Sequence, residues 1–291
     1  MNAPTGGSAY HATDGASYEV FLGRWTRQLA KPLLNFAGFP AAGRLLDVGC
    51  GTGSLAYAMA ARWPGHGVVG IDIAPPYIAF ARSQADLANL HFAVADVVRL
   101  PYANASFGGA AAQLVLNFVP DPVVALHEMQ RVTIRGGSVI AAVWDFRGGL
   151  VYQRIFWDTA AGINPGAASA RDKLFSGPLA LPEGLPRLFE SVGLAQVERA
   201  SITIRMDYAN FDDYWQPMCG GQGPVGTYLA GLSPEMRARV ESAVAIGISL
   251  RRARRTALTD SNGVGGARSR SLASVGDDDD GSDGVTQLAE R

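Results

Sequence analysis

The sequence of 291 residues predicts an α/β fold with a mostly parallel sheet. Three short apolar runs, over 45–48, 67–72 and 91–95, have the length and composition of strands that are buried on both faces. Amphipathic segments with helical spacing follow the first two, over 54–62 and 75–88. Buried strands that alternate with helices indicate parallel strands joined by crossover helices, with a ligand crevice at the carboxyl ends of the strands.

A glycine-rich loop directly follows the first strand. Residues 44–53 read Arg-Leu-Leu-Asp-Val-Gly-Cys-Gly-Thr-Gly, with Asp47 at the end of the strand. Glycine has no Cβ and therefore lets the backbone come close to a nucleotide-like ligand. The dinucleotide fingerprint G-x-G-x-x-G needs a glycine where Ser54 stands, so the spacing argues against a nicotinamide cofactor. A tight turn from strand to helix without any ligand is the alternative interpretation of these glycines.

Two further acidic residues end the next two strands. Asp72 closes the second apolar run, and Asp96 directly follows the third. Because the carboxyl ends of parallel strands meet at one edge of a sheet, Asp47, Asp72 and Asp96 are expected to border one crevice. Three acids at three successive strand ends are hard to obtain by chance, so the sequence predicts a binding site at this edge.

The motif Asp-x-Gly-x-Gly-x-Gly and the two later acids resemble the class I S-adenosylmethionine (SAM)-dependent methyltransferases, in particular their small-molecule type 11 group. The resemblance covers residues 15–250 and is strongest over 44–145. It implies a Rossmann-like three-layer sandwich, SAM as the cofactor, and methyl transfer to a small-molecule acceptor.

The resemblance also implies roles for individual residues. In the family the glycine loop passes beneath the amino-acid part of SAM, and the acid matching Asp47 holds its ammonium group. By the same resemblance Asp72 accepts two ribose hydroxyls, Asp96 faces the adenine amino group, and the Val97 amide faces a ring nitrogen. The complete set of expected cofactor-binding residues is Asp47, Gly49, Cys50, Gly51, Gly53, Asp72, Ile73, Asp96, Val97, Asn117 and Arg24.

Two members of this set have a plainer alternative. The resemblance places Asn117 near the end of the fourth strand, in contact with SAM and substrate, but an amide there is also typical of a cap or a turn. Arg24 lies on an N-terminal helix that folds over the pocket in the family and that brings an arginine to the ligand carboxylate. The alternative for Arg24 is a solvated side chain beside a core tryptophan, Trp25.

The rest of the pattern completes an α/β domain. Further strands are predicted over 110–115, 139–144 and 195–206, and further helices over 18–36, 122–132, 151–161 and 234–250. Segments at 148–182 and 207–250 are expected to be lid insertions above the strand ends, where loops carry substrate choice. The second segment is dense in aromatic residues, which favours a small, partly apolar acceptor over a protein or nucleic acid.

Both ends of the chain differ from this domain, which is predicted to span residues 17–250. Residues 1–16 are small and polar and are expected to be flexible. Residues 251–291 are rich in Gly, Ser, Ala, Arg and Asp and predict a low-complexity, disordered tail. Nothing in this tail resembles the seventh, antiparallel strand of the family. The sequence therefore predicts that this strand is missing, and one hypothesis is a frameshift in the gene.

Composition and charge argue against several classes of function. The formal net charge is -1, which gives no electrostatic case for binding nucleic acid. No apolar run approaches the roughly 20 residues that span a bilayer, and the N-terminus lacks the layout of a signal peptide. Cys50 and Cys219 are expected to be reduced thiols of a cytoplasmic protein. The four histidines are too scattered to predict a metal site.

The expected chemistry demands little of individual side chains. Methyl transfer from a sulfonium is an in-line displacement, so the protein mainly positions the acceptor and excludes water. The sequence identifies no catalytic base; Tyr18, His11 and Asp145 are candidates by topology alone. The acceptor, the atom that is methylated and the oligomeric state are left open. A SAM-binding protein without activity is the main rival hypothesis, and a nicotinamide-dependent oxidoreductase is the weaker one.

Overall fold

A seven-stranded sheet forms the centre of the protein in a computed structural model, which describes residues 14–39, 43–261 and 283–290. The strands are Leu45–Val48 (β1), Val68–Asp72 (β2), Leu90–Val94 (β3), Phe107–Gln113 (β4), Thr133–Trp144 (β5), Arg199–Met206 (β6) and Asp283–Glu290 (β7). Across the sheet they lie in the order β3-β2-β1-β4-β5-β7-β6. The first five are parallel to one another, and β7 is antiparallel to both of its neighbours.

Helices within the described residues cover both faces of this sheet. They are Gly15–Tyr18 (α1), Arg24–Ala37 (α2), Ser54–Arg62 (α3), Pro75–Ser83 (α4), Pro122–Val132 (α5), Val151–Ala161 (α6), Pro165–Phe175 (α7), Gly184–Ser191 (α8), Phe211–Met218 (α9), Gly223–Ala230 (α10) and Pro234–Ser261 (α11). A π-helical turn, Glu19–Gly23, joins α1 to α2, so the N-terminal helical prediction over 18–36 corresponds to one continuous helical segment.

Strand β1 is the centre of the parallel part of the sheet. It pairs in parallel with β2 on one side and with β4 on the other. All four of its residues are buried, because helices cover both faces. One apolar cluster joins α2 and α3 to one face, and a second cluster joins α5 and α8 to the other. The predicted α/β sandwich with a mostly parallel sheet is therefore confirmed.

The predicted elements agree best where a sharp local signal marks their ends. Strand β1 and helix α3 have the predicted bounds, since the glycine loop fixes where the strand ends and the helix begins. Helix α5 begins at Pro122 as predicted, because Asp121 caps it by accepting a hydrogen bond from the Val124 amide at 3.0 Å. Helix α4 ends at Ser83 and not near residue 88 as predicted, because the chain becomes polar and exposed from Ser83 onward.

The prediction that the last antiparallel strand is missing is wrong. Strand β7 lies between β5 and β6 and pairs along the whole length of β6. Helix α11 also continues past the predicted end at 250 as far as Ser261, into the segment expected to be a disordered tail. Two neighbouring strands with a gap between them present unpaired N–H and C=O groups, and any segment free of proline can satisfy them. Backbone pairing can thus hold a segment in the sheet although its sequence shows little alternation of apolar and polar residues. Residues 262–282 lie outside the described residues.

The two lid segments form a helical layer that packs into the apolar cluster on one face of the sheet. Helices α6, α7, α9 and α10 pack together with the start of α11. Aromatic side chains fill this layer: Trp157 and Trp215 are both fully buried, and each contacts Phe156. The aromatic residues of the second lid segment therefore stabilise the lid itself. No helix in the described part of the chain is long and apolar enough to span a membrane.

Replacing Leu288 by proline tests the assignment of β7. Leu288 pairs with Val143 on one side and Ser201 on the other, so proline removes a ladder hydrogen bond in the interior of the sheet. We expect a loss of about 3 kcal/mol or more in the free energy of unfolding, measured by urea titration. The matched control is Asp283→Pro, at the first residue of the strand, where proline is tolerated. Equal stability of the two variants would contradict the assignment.

Candidate functional site

A cavity of about 400 Å³ opens at the carboxyl ends of the parallel strands. Open α/β sheets bind ligands at this edge, and the volume lies in the range of small-molecule sites. The segments that follow β1 to β4 supply most of its walls, and Trp144 at the end of β5 adds to them. The N-terminal helical segment contributes Tyr18 and Leu22. The sheet therefore brings the predicted strand-end residues to one site.

Asp47 is the most unusual residue of this site. Its side chain is fully buried at the end of β1, and neither carboxylate oxygen has a hydrogen-bond partner among the described residues. Asp47 borders a small pocket that shares Tyr18 and Gly49 with the large cavity. Burial raises the pKa of Asp47 to about 8; the nearby Ala56 backbone amide lowers it in part, and the charge of Asp72 raises it further. A buried carboxyl without a partner is costly, and a cationic donor in this pocket would remove the cost.

Gln113, at the end of β4, supplies a second acceptor without a partner and was not predicted as a site residue. Its Nε2 atom donates to the carbonyl oxygen of Thr26 at 3.0 Å, while its buried Oε1 atom has no partner among the described residues. Gln113 lines both the small pocket and the large cavity. The small pocket is therefore rich in acceptors and suits a ligand group that carries several N–H donors.

The glycine loop has the backbone shape that the sequence predicts. Gly49, Gly51 and Gly53 have φ angles of +68°, +55° and +98°, a region that side chains rarely adopt. A Cβ on Gly49 would lie 2.3 Å from the side chain of Val115, so the loop also needs glycine there to fit against the end of β4. Gly49 and Gly51 line the cavity, whereas Gly53 shapes the turn into α3, and Cys50 borders the small pocket.

Asp72 connects two of the loops that form the cavity. Its Oδ2 atom accepts a hydrogen bond from the Gly51 amide at 2.9 Å, and its Oδ1 atom accepts one from the Ala74 amide at 2.8 Å. Burial raises the pKa of Asp72, and these amides lower it in part. Each carboxylate oxygen keeps acceptor capacity, so the side chain can also accept hydroxyl groups of a ligand.

The remaining predicted residues of β2 and β3 also line the cavity. Ile73 follows Asp72, and Asp96 and Val97 follow β3, as the strand-end argument requires. Asp96 is half-buried and accepts a hydrogen bond from the Val98 amide at 3.1 Å. Tyr77 on α4 completes this wall and was missed, because a buried tyrosine on an amphipathic helix carries no local signal of a site.

The structure places Asn117 and Arg24 outside the cavity. The Asn117 Oδ1 atom accepts a hydrogen bond from the Trp144 amide at 3.0 Å and thereby caps the end of β5. The Arg24 guanidinium pairs with Asp213 at 3.0 Å and lies over the ring of Trp25 at 4.3 Å. Asn117 therefore has the capping role that was the alternative to ligand contact. Arg24 fixes a lid helix through an ion pair that the sequence did not predict.

Of the three candidate bases, Tyr18 is the one that the structure places at the cavity. Tyr18 lines it and packs against Tyr77, with ring centroids 5.0 Å apart. Asp145 accepts hydrogen bonds from the Arg147 and Gly148 amides in a turn after β5. His11 lies outside the described residues. The described residues contain no group of side chains suited to a metal ion.

The lid reaches the cavity wall through a hydrogen bond that the sequence did not predict. Gln222, which precedes α10 and is fully buried, accepts a hydrogen bond from the Tyr77 hydroxyl at 2.6 Å. Its Nε2 atom donates to the carbonyl oxygen of Asp14 at 3.2 Å, at the start of α1. Gln222 therefore ties the lid to both α4 and α1, the segments that carry Tyr77 and Tyr18.

The segment that carries most of this site is similar to known proteins. Residues 46–141 match the family model described as "Methyltransferase domain". The chain is 35% identical over 119 residues to a demethylmenaquinone methyltransferase of Thermus thermophilus, covering 40% of this chain and 52% of that protein. It is 33% identical over 140 residues to a malonyl-[acyl-carrier protein] O-methyltransferase of Acetivibrio thermocellus, covering 43% and 49%. The chain thus spans about half the length of these curated relatives.

Solved structures share the fold over most of the chain. A Haemonchus contortus phosphoethanolamine N-methyltransferase 2 in complex with SAM superposes with a TM-score of 0.52 at 14% identity, covering 95% of this chain and 55% of that one. The MccD protein superposes with a TM-score of 0.50 at 16% identity, covering 90% and 95%. At this identity the likeness concerns the fold alone. The domain match over residues 46–141 supports the resemblance to methyltransferases seen in the glycine motif.

Replacing Asp47 by asparagine is expected to stabilise the ligand-free protein in a pH-dependent way. The pKa of about 8 in the folded state lies above the ordinary value of 3.8. Folding therefore opposes ionisation of Asp47, and its contribution to stability falls as the pH rises from about 4 to about 8. We expect Asp47→Asn to raise the free energy of unfolding by about 1–3 kcal/mol at pH 8 and by much less at pH 4. Urea unfolding at both pH values measures this; an equal effect at both would contradict it.

Replacing Arg24 by alanine is expected to loosen the lid and leave cofactor binding unchanged. The ion pair with Asp213 is about one-third exposed on each side, so we expect a coupling of about 0.5–1 kcal/mol in a double-mutant cycle with Asp213→Ala. Chemical unfolding measures the coupling, and calorimetric titration measures the affinity for S-adenosylhomocysteine. A tenfold loss of that affinity in Arg24→Ala alone would return Arg24 to the binding site.

Proposed function

We propose that the chain, whose residues 46–141 form a class I SAM-dependent methyltransferase domain, transfers a methyl group to a small-molecule acceptor. Its cofactor is SAM, held at the carboxyl ends of β1, β2 and β3. The observation that carries this proposal is the unpaired, fully buried carboxyl of Asp47 beside a loop of three glycines with positive φ. A cationic ligand end that approaches the backbone closely is the chemistry that this combination fits.

The residues present fit SAM at three points. Asp47 and the Gln113 Oε1 atom are buried acceptors for the ammonium group of its amino-acid part. Asp72 is placed to accept the ribose hydroxyls, and it already fixes the Gly51 and Ala74 amides on either side. Asp96 and Val97 are placed for the adenine ring. The acidic lining as a whole suits a ligand that carries a net positive charge.

The chain contributes positioning and exclusion of water. When bound, SAM supplies a methyl group on a positively charged sulfur, and this sulfur leaves with the electrons of the broken carbon–sulfur bond as the acceptor bonds to the methyl carbon. Tyr18 and Leu22 cover the cavity from the N-terminal segment, and Phe118 and Trp144 add apolar wall near the ends of β4 and β5. A dry, shaped site of this kind accelerates an in-line displacement, and an acceptor that must lose a proton also needs a base, for which Tyr18 at the cavity is the candidate.

The shape and lining of the cavity say more about the acceptor than the names of the relatives do. The relatives named above act on demethylmenaquinone and on malonyl-[acyl-carrier protein], two acceptors of different chemistry. The cavity of about 400 Å³ also holds the proposed cofactor, so it leaves room only for a small molecule or a small group carried on a larger one. We also propose a cytoplasmic location, because Cys50 and Cys219 are both free thiols.

The rival hypotheses receive less support. A SAM-binding protein without activity was suggested by a missing strand, but β7 is present in the sheet. A nicotinamide-dependent oxidoreductase would place a pyrophosphate at the glycine loop, yet the loop borders the Asp47 carboxyl, which offers an anion no N–H donor and repels it once ionised. Release of S-adenosylhomocysteine from labelled SAM, measured with a pool of cell metabolites, separates an enzyme from a binding protein.

Titration of the purified chain with S-adenosylhomocysteine tests cofactor binding directly. We expect a dissociation constant in the micromolar range, about -8 kcal/mol. The Asp72→Ala variant should weaken this binding by about 1–3 kcal/mol, because hydrogen bonds from the ribose hydroxyls to a carboxylate are lost. Asp172→Ala, which removes an exposed carboxylate on α7, is the matched control and should bind as the native chain does. Absence of binding to a folded native chain would overturn the proposed function.

A further inference from the structure

None of the ionisable residues that line the large cavity in the described part of the chain is basic. Within the described part of the chain they are Asp72, Asp96, Asp121, Tyr18 and Tyr77. Asp47 adds a further carboxyl in the adjoining pocket. Residues 1–13, which lead into α1, contain no lysine or arginine in the sequence. Each ionisable side chain at the described cavity wall is therefore either negatively charged or neutral.

An anionic acceptor would find no partner at this wall. A carboxylate or phosphate that leaves water needs charge-assisted hydrogen bonds, usually from arginine or lysine, to offset its desolvation. Arg24 is near the N-terminal wall in sequence, but its guanidinium is held by Asp213 and lies over Trp25.

The part of the cavity beyond the glycine loop is apolar. Leu22 and Trp144 are buried there, and Phe118, Val119 and Val124 continue the wall from the end of β4 to the start of α5. The Trp144 backbone is fixed by its bond to Asn117, so this wall is rigid. Such a surface gains free energy by covering an apolar body and gives no hydrogen bonds to a charged one.

We propose that the methyl acceptor is an uncharged molecule with an apolar body, which lies against Leu22, Phe118 and Trp144, and that carboxylate and phosphate compounds are excluded. This inference rests on the proposed methyl transfer and assigns the acceptor class within it. Selectivity arises from the absence of basic residues at the wall, so it acts against anions of any shape. The methylated atom is then a hydroxyl oxygen, an uncharged nitrogen or a carbon of such a molecule.

A matched pair of ring compounds tests the inference on the full chain. The probes are 2-naphthol, which is uncharged at pH 7, and 2-naphthoate, which has the same ring system and a negative charge. Both are titrated calorimetrically into protein saturated with S-adenosylhomocysteine. We expect 2-naphthol to bind at least about tenfold more tightly, since the carboxylate is desolvated without a basic partner.

Two adjacent valines provide a variant and its control. Val124 lines the cavity and is 39% exposed, whereas Val123 is 40% exposed and does not line it. Val124→Lys introduces a cation at the wall and should strengthen 2-naphthoate binding about two- to fivefold. Val123→Lys carries the same charge at the neighbouring position and should leave the ratio of the two affinities unchanged.

The outcomes separate this inference from the proposed function. If S-adenosylhomocysteine does not bind, the proposed function fails before the probes are added. If it binds and 2-naphthoate binds as tightly as 2-naphthol, the inferred acceptor class is wrong while the proposed function stands. Absence of binding by both probes also contradicts the inference, because an apolar wall should accept the uncharged ring. Equal effects of the two lysine variants would show that the wall does not set the selectivity.

Discussion

A fully buried carboxyl without a hydrogen-bond partner, that of Asp47, is the constraint on which the site depends. The protein keeps this group at the end of its most buried strand, although a neutral or apolar side chain would be easier to bury. Its environment is fixed from two sides, by the glycine loop and by Gln113. Stability is thus sacrificed at one position to create affinity for a cation, so ligand binding and folding are thermodynamically linked through Asp47.

The parallel sheet explains why one constrained residue is sufficient to organise the others. Because β1 lies between β2 and β4, the segments after all three strands converge on the same edge. Asp72 then joins the loop after β1 to the loop after β2 through two amide hydrogen bonds. The glycine loop cannot move without disturbing Asp72, and the ribose and amino-acid subsites are therefore mechanically coupled. A site of this kind is preorganised by backbone contacts, which tolerate wide variation of the surrounding side chains.

The sequence predicted most of the residues that lie at this half of the cavity because its signals are local. Glycine spacing, apolar runs and strand-end acids lie within a few residues of the features they predict. Arg24 could not be placed in the same way, since its partner Asp213 is 189 residues away in the chain. Asn117 is held in a similar way, because its Oδ1 atom accepts a hydrogen bond from the amide of Trp144, 27 residues away at the end of β5. Strand β7 was missed because its sequence has little strand pattern, whereas its pairing uses the backbone groups of β5 and β6.

The lid and the N-terminal segment connect the two halves of the cavity. Gln222 holds Tyr77 of the cofactor wall and the Asp14 carbonyl at the start of α1, while Tyr18 on α1 covers the glycine loop. The aromatic residues of the lid are buried in the apolar cluster shared with α2 and α3, so they stiffen this cover, and the apolar wall of the cavity comes from the ends of β4 and β5. On the proposed function, cofactor affinity is set by the backbone geometry of the strand-end loops, and acceptor choice by a few uncharged wall residues. Acceptor specificity could then change at those residues without disturbing Asp47, the buried acid proposed to bind the cofactor.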